Sequence, residues 1–301
     1  MQGLDNLEKY AIEIGCLCTK DEPMSKHTSF HIGGKADLML TPQNESTLSS
    51  IISACKKWDI PYYIFGNGSN ILVSDNGIRG AVILTTAFSQ IELVDSYTIK
   101  CGAGVKNSQL CSFALEHGLS GFEFLWGIPG TVGGAAYMNA GAYGGEFKDV
   151  YLSSDFVDDS GEIGTISKDD IDYSYRHSAY CDRNCVITSI TVSGTPSDMH
   201  EIRVKMDDLM NRRKTKQPLE YPSAGSVFKR PEGYFAAALI EECGLKGKRV
   251  GGAMVSEKHS GFIVNVDNAT ASDVKILIEQ IKQEVFLQKD VNLECEIKMI
   301  G

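Results

Sequence analysis

No two cysteines in this 301-residue chain have CxxC spacing. The nine present are an odd number: one residue separates Cys16 from Cys18, three separate Cys181 from Cys185, and the rest stand alone. A structural zinc site or a disulfide framework needs more regular spacing, so no metal and scattered reduced thiols are expected. Free thiols suit a reducing compartment. Also missing is any apolar run near the roughly 20 residues that cross a bilayer. Met1–Ile14 mixes Asp5, Glu8 and Glu13 with apolar residues, unlike a signal peptide, so a cytoplasmic protein without membrane insertion is expected. Positive charge is short: 29 Lys and Arg face 39 Asp and Glu, for a net charge of -10. That field repels polyanions and argues against nucleic acid as a partner. Clustered Lys and Arg can still hold a small anion.

What remains is an ordinary globular composition, 43% hydrophobic and 23% charged, long enough for two or three packed domains. Leu4, Leu7, Ala11 and Ile14 have helical spacing, and Ser46–Trp58 reads as a second helix capped near Asn44. Phe30–Leu40 reads as strand, turn and strand. Further strands are expected at Tyr62–Phe65, Ile71–Ser74, Ala81–Thr85, Ile91–Val94, Thr98–Gly102 and Cys185–Ser193. Val105–His117 reads as a helix ended by Gly118, and Asp159-Ser160-Gly161 as a hairpin turn. Thr195-Pro196-Ser197-Asp198 has the form of a helix start, with the acid near the third position. The last third carries helices at Tyr234–Cys243 and Ser272–Leu287, and strands around Val250–Val255, Phe262–Val266 and Leu293–Met299. There is no internal repeat. The mixture predicts an α+β architecture without regular βαβ alternation, and the main boundary falls at Gly194–Pro196.

Eight glycines lie between Gly121 and Gly145, about three times the chain-wide rate of 30 in 301. Glycine lets backbone N–H groups approach a ligand with no Cβ in the way, and successive N–H groups make anion sites. A second glycine-rich segment, Phe65–Asn70, carries Asn67, Ser69 and Asn70; the first carries Thr131 and Asn139. Tight turns alone would explain glycine, but the short polar partners favour a phosphate-bearing ligand. Neither segment is a GxGxxG opening a helix or a GxxxxGK[ST] loop, so the common dinucleotide and P-loop folds are disfavoured.

Five runs in order carry a resemblance: Thr28-Ser29-Phe30-His31-Ile32-Gly33-Gly34, Gly66-Asn67-Gly68-Ser69-Asn70, Gly127-Ile128-Pro129-Gly130-Thr131-Val132-Gly133-Gly134-Ala135, Gly225-Ser226-Val227-Phe228-Lys229 and Leu293-Glu294-Cys295-Glu296-Ile297. From about Lys26 to Gly301 the chain resembles the UDP-N-acetylenolpyruvoylglucosamine reductase family, in the form lacking an inserted tyrosine-bearing loop. The resemblance implies a two-lobed FAD-binding domain of the vanillyl-alcohol-oxidase (PCMH) type over residues 1–194, with lobes of about 1–60 and 61–194. A smaller α+β substrate-binding domain would follow over 195–301. It implies non-covalent FAD held by Phe65, Gly66, Asn67, Gly68, Ser69, Asn70, Gly127, Pro129, Gly130, Thr131, Gly133, Gly134 and Asn139, mostly through backbone. It also implies NADPH as co-substrate, a UDP-sugar enolpyruvyl ether as substrate, a monomer, and a bacterial role in peptidoglycan precursor synthesis.

Hydride addition to such an ether builds an enolate on the carboxylate and then needs a proton at the adjacent carbon. By the resemblance, Ser226 donates that proton while Arg176 and Glu296 stabilise the enolate. Glu296 helps only if protonated, so a raised pKa is expected. Ser226 needs support, from Lys229 or Arg176. Lys216, and less closely Arg213 and Lys229, fit the substrate-binding positions. Local chemistry alone permits plainer roles: a turn serine, a solvated strand face for Glu294, Glu296 and Lys298, a guanidinium stacked on a tyrosine, and a favourable basic helix end at Arg212–Lys216. Arg230 stands where some members have asparagine. His31 and His259 are surface or core histidines without an assigned role. Two competing readings keep the flavin domain: an oxidase or dehydrogenase of another small molecule, and a flavin-binding protein without turnover.

Overall fold

The computed structural model describes residues 2–301, which form two units of interleaved segments. The first takes in the chain up to Lys20, Leu38–Asn67 and Gly80–Asn211; the second is Asp21–Asp37, Gly68–Arg79 and Arg212–Gly301. The sequence reading cut the chain once, at Gly194–Pro196. Instead the helix Met199–Lys216 starts in the first unit, because Ile202 and Met206 are buried with Leu119, Phe122 and Val192. Asp198 caps that helix, taking the N–H groups of His200 (2.8 Å) and Glu201 (3.2 Å); it precedes the helix rather than sitting near its third position.

The first unit has two cores. One lies on a five-stranded antiparallel sheet in the order Ile163–Ser167, Tyr151–Asp158, Cys185–Ser193, Thr98–Gly102, Ile91–Leu93. Cys185–Ser193 is central and buries Ile187, Ile190 and Val192 in this core, while Val186 packs in the other. The helices Asn107–Glu116 and Val132–Tyr137 add Leu110, Ala114, Val132 and Ala136 to this core. The other core joins Leu7 and Ala11 of the helix Gln2–Glu13 to Leu48, Ile51 and Ile52 of Glu45–Lys57 and to Leu38, Leu40, Ala81 and Ile83. Asn44 caps Glu45–Lys57 through the Thr47 N–H (2.9 Å). Tyr62–Phe65 pairs in parallel with Ile78–Leu84 and delivers the chain into Gly66.

In the second unit an antiparallel sheet runs Ser223–Ser226, Phe262–Asn265, Ala253–Val255, Arg249–Val250. The helix Ala271–Lys289 buries Val274, Leu277, Ile278, Ile281 and Val285 in the same core as Phe30, Ile32 and Leu72. Its first N–H groups are satisfied from far along the chain: the Asp75 carboxylate accepts from Ala271 (2.7 Å) and Ser272 (2.9 Å). Three expected strands are reshaped. Only Lys35–Thr41 forms from the Phe30–Leu40 hairpin; Thr28–Gly34 is instead irregular, with the Thr28 hydroxyl on the Ile32 carbonyl (3.0 Å) and His31 at φ 56°. Val250–Val255 breaks at Gly251-Gly252 into a hairpin. Leu293–Met299 reduces to a bridge between Cys295 and Phe228 and a short strand, Lys298–Ile300, parallel to Ile71–Val73.

Candidate functional site

Within the first unit the two glycine-rich segments meet. A Cβ built on Gly66 would lie 2.5 Å from the Thr131 hydroxyl oxygen, so glycine is what lets this backbone lie directly against the Thr131 side chain. Thr131 is 3% exposed, and its hydroxyl caps the helix Val132–Tyr137 by accepting from the Gly134 N–H (3.3 Å). Lys106 and Thr131 form an antiparallel bridge, closed by Asn107 N–H to the Gly130 carbonyl (3.1 Å) and Val132 N–H to the Val105 carbonyl (2.8 Å). This pairing uses the outward groups and leaves others open. Among the described residues, the backbone N–H groups of Gly66, Asn67, Gly130 and Thr131 have no acceptor in the chain. Four unpaired donors on two touching turns are what a diphosphate or a flavin edge requires, so these residues fit the FAD expected there.

Several other expected cofactor residues have bonds within the chain. The Phe65 ring is fully buried, and its carbonyl accepts from the Thr85 N–H (2.9 Å). Gly133 is buried with its N–H on the Ala103 carbonyl (2.9 Å), and Gly134 is exposed but spends its N–H on the Thr131 cap. Gly127 and Pro129 lie in the turn itself, half-buried and exposed. Asn139 has no exposed surface, so its side chain touches no ligand. A residue that sequence reasoning missed is Asn107, 1% exposed, whose amide Nδ2 donates to the Ile128 carbonyl (3.3 Å) and so fastens the turn. Its Oδ1 is buried without a partner. An asparagine opening a helix carries no sequence signal for this task.

Arg176 also belongs to the first unit. It sits with Tyr175 in the turn of the hairpin Tyr173–Ser174/His177–Ser178, at φ 55°, sparsely populated for a side-chain-bearing residue. Its guanidinium donates to the Gly141 carbonyl (3.0 Å) and lies 5.1 Å from the Tyr175 ring centroid, so the stacking reading holds beside any catalytic one.

Ser226 and Glu296 are brought together in the second unit. Gly225, at φ 78°, makes the bulge that ends Ser223–Ser226, and the Glu296 N–H donates to the Val227 carbonyl (2.8 Å). Ser226 is half-buried, and among the described residues its hydroxyl has no hydrogen-bond partner. Gly68–Asn70 lies in the same unit: the Asn70 amide donates to the Glu296 carbonyl (3.3 Å), the Gly68 carbonyl accepts from Ser29 (3.2 Å), and Ser69 is half-buried. The Ser29 hydroxyl donates to the Ser223 carbonyl (2.6 Å), pinning Thr28–Gly34 to the serine strand. Lys229 does not serve as an open cation for Ser226, since its ammonium pairs with Glu294 at 3.2 Å. Arg213 is 5% exposed, which leaves it little surface for a nucleotide, whereas Lys216 is exposed at the helix end. Arg230 lies over the Phe235 ring (4.3 Å). His259 is a structural residue: its Nδ1 accepts from the Gly261 N–H (3.1 Å), and burial lowers its pKa. His31 is exposed. Among the described residues none of the nine cysteines forms a disulfide, and no group of His, Cys, Asp and Glu is placed to hold a metal. No helix among the described residues is long and apolar enough to cross a membrane.

Residues 36–167 match the FAD binding domain family, which places the chain among flavoproteins. Residues 217–300 match the C-terminal domain of UDP-N-acetylenolpyruvoylglucosamine reductase. Proteins of that name from Clostridium botulinum (strain 657) and Clostridium perfringens (strain 13) are 49% and 45% identical, over 93% and 94% of this chain and 92% and 93% of theirs. The crystal structure of the reductase MurB from Thermus caldophilus superposes with a TM-score of 0.82 at 33% identity, covering 95% of this chain and 99% of that one. The chain belongs to the UDP-N-acetylenolpyruvoylglucosamine reductase family and is an FAD-dependent oxidoreductase with an α+β fold.

Proposed function

We propose that the chain reduces UDP-N-acetyl-3-O-(1-carboxyvinyl)-glucosamine to UDP-N-acetylmuramate at the expense of NADPH, in the cytoplasmic stage of peptidoglycan precursor synthesis. The FAD-binding role falls mainly within residues 1–194 and the substrate-binding role within 195–301, although 21–37 and 68–79 pack in the second unit and 195–211 in the first. FAD bound there would supply the chemistry of hydride transfer between NADPH and the vinyl group. Gly66, Asn67, Gly130 and Thr131 hold the cofactor through backbone N–H groups, and Gly68, Ser69 and Asn70 are assigned to cofactor binding as well.

The observation that carries the chemistry is the Ser226 hydroxyl, unpartnered and half-buried beside the Glu296 backbone. Ser226 gives its proton to the carbon next to the carboxylate. Glu296, in its protonated form, and Arg176 stabilise the enolate that precedes this transfer. Lys216 contacts the nucleotide diphosphate. Lys229 exchanges its exposed ion pair with Glu294 for the substrate, a change that costs little because such pairs are worth about 0–1 kcal/mol.

Purified protein should be yellow, and its NADPH oxidation should require the enolpyruvyl sugar nucleotide. NADPH turnover independent of that substrate would assign the chain to another flavin reaction. Ser226→Ala should still be reduced by NADPH but fail to pass the hydride equivalent on. Normal turnover by that variant would remove Ser226 as proton donor.

A further inference from the structure

Asn139 is buried to 0% exposure, adopts φ 42°, and spends every polar atom of its side chain inside the protein. Its Nδ2 donates to the Ser174 carbonyl (2.9 Å) and to Glu146 Oε2 (3.2 Å), while its Oδ1 accepts from the Lys148 N–H (3.0 Å). Ser174 immediately precedes the Tyr175-Arg176 turn, and Glu146 ends the neighbouring hairpin, Gly141–Ala142/Gly145–Glu146. From the other side the Arg176 guanidinium reaches back to the Gly141 carbonyl of that same hairpin (3.0 Å). A third tie comes from two residues earlier, where the Ser178 hydroxyl donates to the Tyr137 carbonyl (2.6 Å).

We infer that Asn139 and Glu146 form a clasp that positions the Arg176 hairpin, making Asn139 a positioning residue for the reduction rather than a cofactor ligand. The inference rests on the role proposed above for Arg176. Three side-chain-bearing residues here, Asn139, Tyr143 and Arg176, have left-handed backbone. Such conformations persist only where surrounding contacts over-determine them, and the clasp supplies those contacts at Asn139 and Arg176. Glu146 has charge to contribute as well as an acceptor. The Lys148 ammonium at 2.7 Å, the Asn139 amide and the Arg176 charge hold its carboxyl below the usual range despite partial burial. An anion fixed beside the hairpin keeps the guanidinium from swinging free, and the Nη2 bond to Gly141 then sets its direction.

The test uses the FAD-loaded enzyme and follows its two half-reactions separately by stopped flow. Asn139→Ala should leave the flavin absorption spectrum and the rate of reduction by NADPH within about twofold, the margin expected where no contact to the cofactor is lost. It should slow reoxidation by the enolpyruvyl substrate by about tenfold to a hundredfold, as expected for a misplaced catalytic group. The same variant should speed hydrogen exchange at the amides of residues 174–178, a readout independent of turnover. In Asn139→Ala/Arg176→Ala the reoxidation rate should equal that of Arg176→Ala alone, because a misplaced group and an absent one do not add. Glu146→Gln keeps an acceptor for the Asn139 amide and decides the matter if Asn139→Ala does not fold; it should slow reoxidation less, with reduction unchanged. Loss of FAD, equal slowing of both half-reactions, or additive losses in the double variant would overturn the inference. Normal reoxidation by Arg176→Ala would instead strike the role of Arg176, and the exchange rates would then judge the clasp by itself.

Discussion

Replacing Gly66 by alanine would put a methyl group 2.5 Å from the Thr131 hydroxyl oxygen, about 1 Å inside comfortable contact. Something must move, and both available movements have a known cost. If Thr131 gives way, the cap on the Gly134 N–H is lost, which costs about 1 kcal/mol of stability. If Gly66 gives way, its unpaired N–H is turned from the cofactor, and losing one hydrogen bond to a charged group costs about 1.5–3 kcal/mol. That second loss is a rise of about tenfold to a hundredfold in the Kd for FAD. Flavin fluorescence titration of the apoprotein reads the affinity, and urea unfolding of the same apoprotein reads the stability. Thr131→Ala separates the two costs. It removes the cap but also the oxygen in the way, so Gly66→Ala/Thr131→Ala should recover much of the FAD affinity while remaining about 1 kcal/mol less stable. If Gly66→Ala bound FAD as tightly as the parent while unfolding earlier, the close approach would be a packing feature and the N–H cradle would be misassigned.

Glu123 is 2% exposed; burial raises its pKa, but the Ser120 hydroxyl (2.6 Å), the Gly121 N–H (2.9 Å) and Lys205 (3.3 Å) outweigh that and lower it. Its contribution to stability is therefore full above the unfolded carboxyl value of about 4.3 and is lost as pH falls through the lower folded value. Glu123→Gln should be about 1–3 kcal/mol less stable at neutral pH, with the gap closing in acid; a constant gap across an acid titration would refute this. Asp75→Ala removes the acceptor for the first two N–H groups of Ala271–Lys289 and should cost about 1–2 kcal/mol in urea unfolding, with Asp75→Asn losing less. Glu296→Gln, neutral but able to donate, should retain far more reoxidation activity than Glu296→Ala. Equal loss in both would mean that the charged carboxylate is the working form.

Elements governed by their own residues could be read from the sequence. The helix Glu45–Lys57 has its cap at Asn44 and its apolar stripe at Leu48, Ile51, Ile52 and Cys55, all within 12 residues. Cys185–Ser193 alternates from Thr188 onward, where one face of a central strand packs on a core. What escaped depends on partners far away in the chain. Nothing near Ala271 announces that Asp75, 196 residues earlier, satisfies its N–H. Thr28–Gly34 has the alternation of a strand, since Phe30 and Ile32 are both buried, yet its polar groups are bonded by Ser223 and Asn265 and no ladder forms. The interleaved units escaped for the same reason, because burial of Phe30 and Leu72 beside Val274 is decided by the assembled core.

The site divides along a similar line. Candidate backbone donors were legible as glycine, because glycine is the residue that permits close approach, as Gly66 does against the Thr131 side chain. Polar side chains among the glycines were harder to assign, since a ligand contact and an internal clasp require the same residue types. Burial separates them: Asn139 has no surface to give and Asn107 almost none, while Asn67 is exposed. The same criterion supports the role proposed for Ser226. Its neighbour Ser223 has a carbonyl tied to Ser29, and Val227 is paired on both backbone groups, to Gly261 and to Glu296. A hydroxyl left open and half-buried within so fully bonded a backbone is held in position and still free to react. A proton donor needs both properties, and a turn serine needs neither.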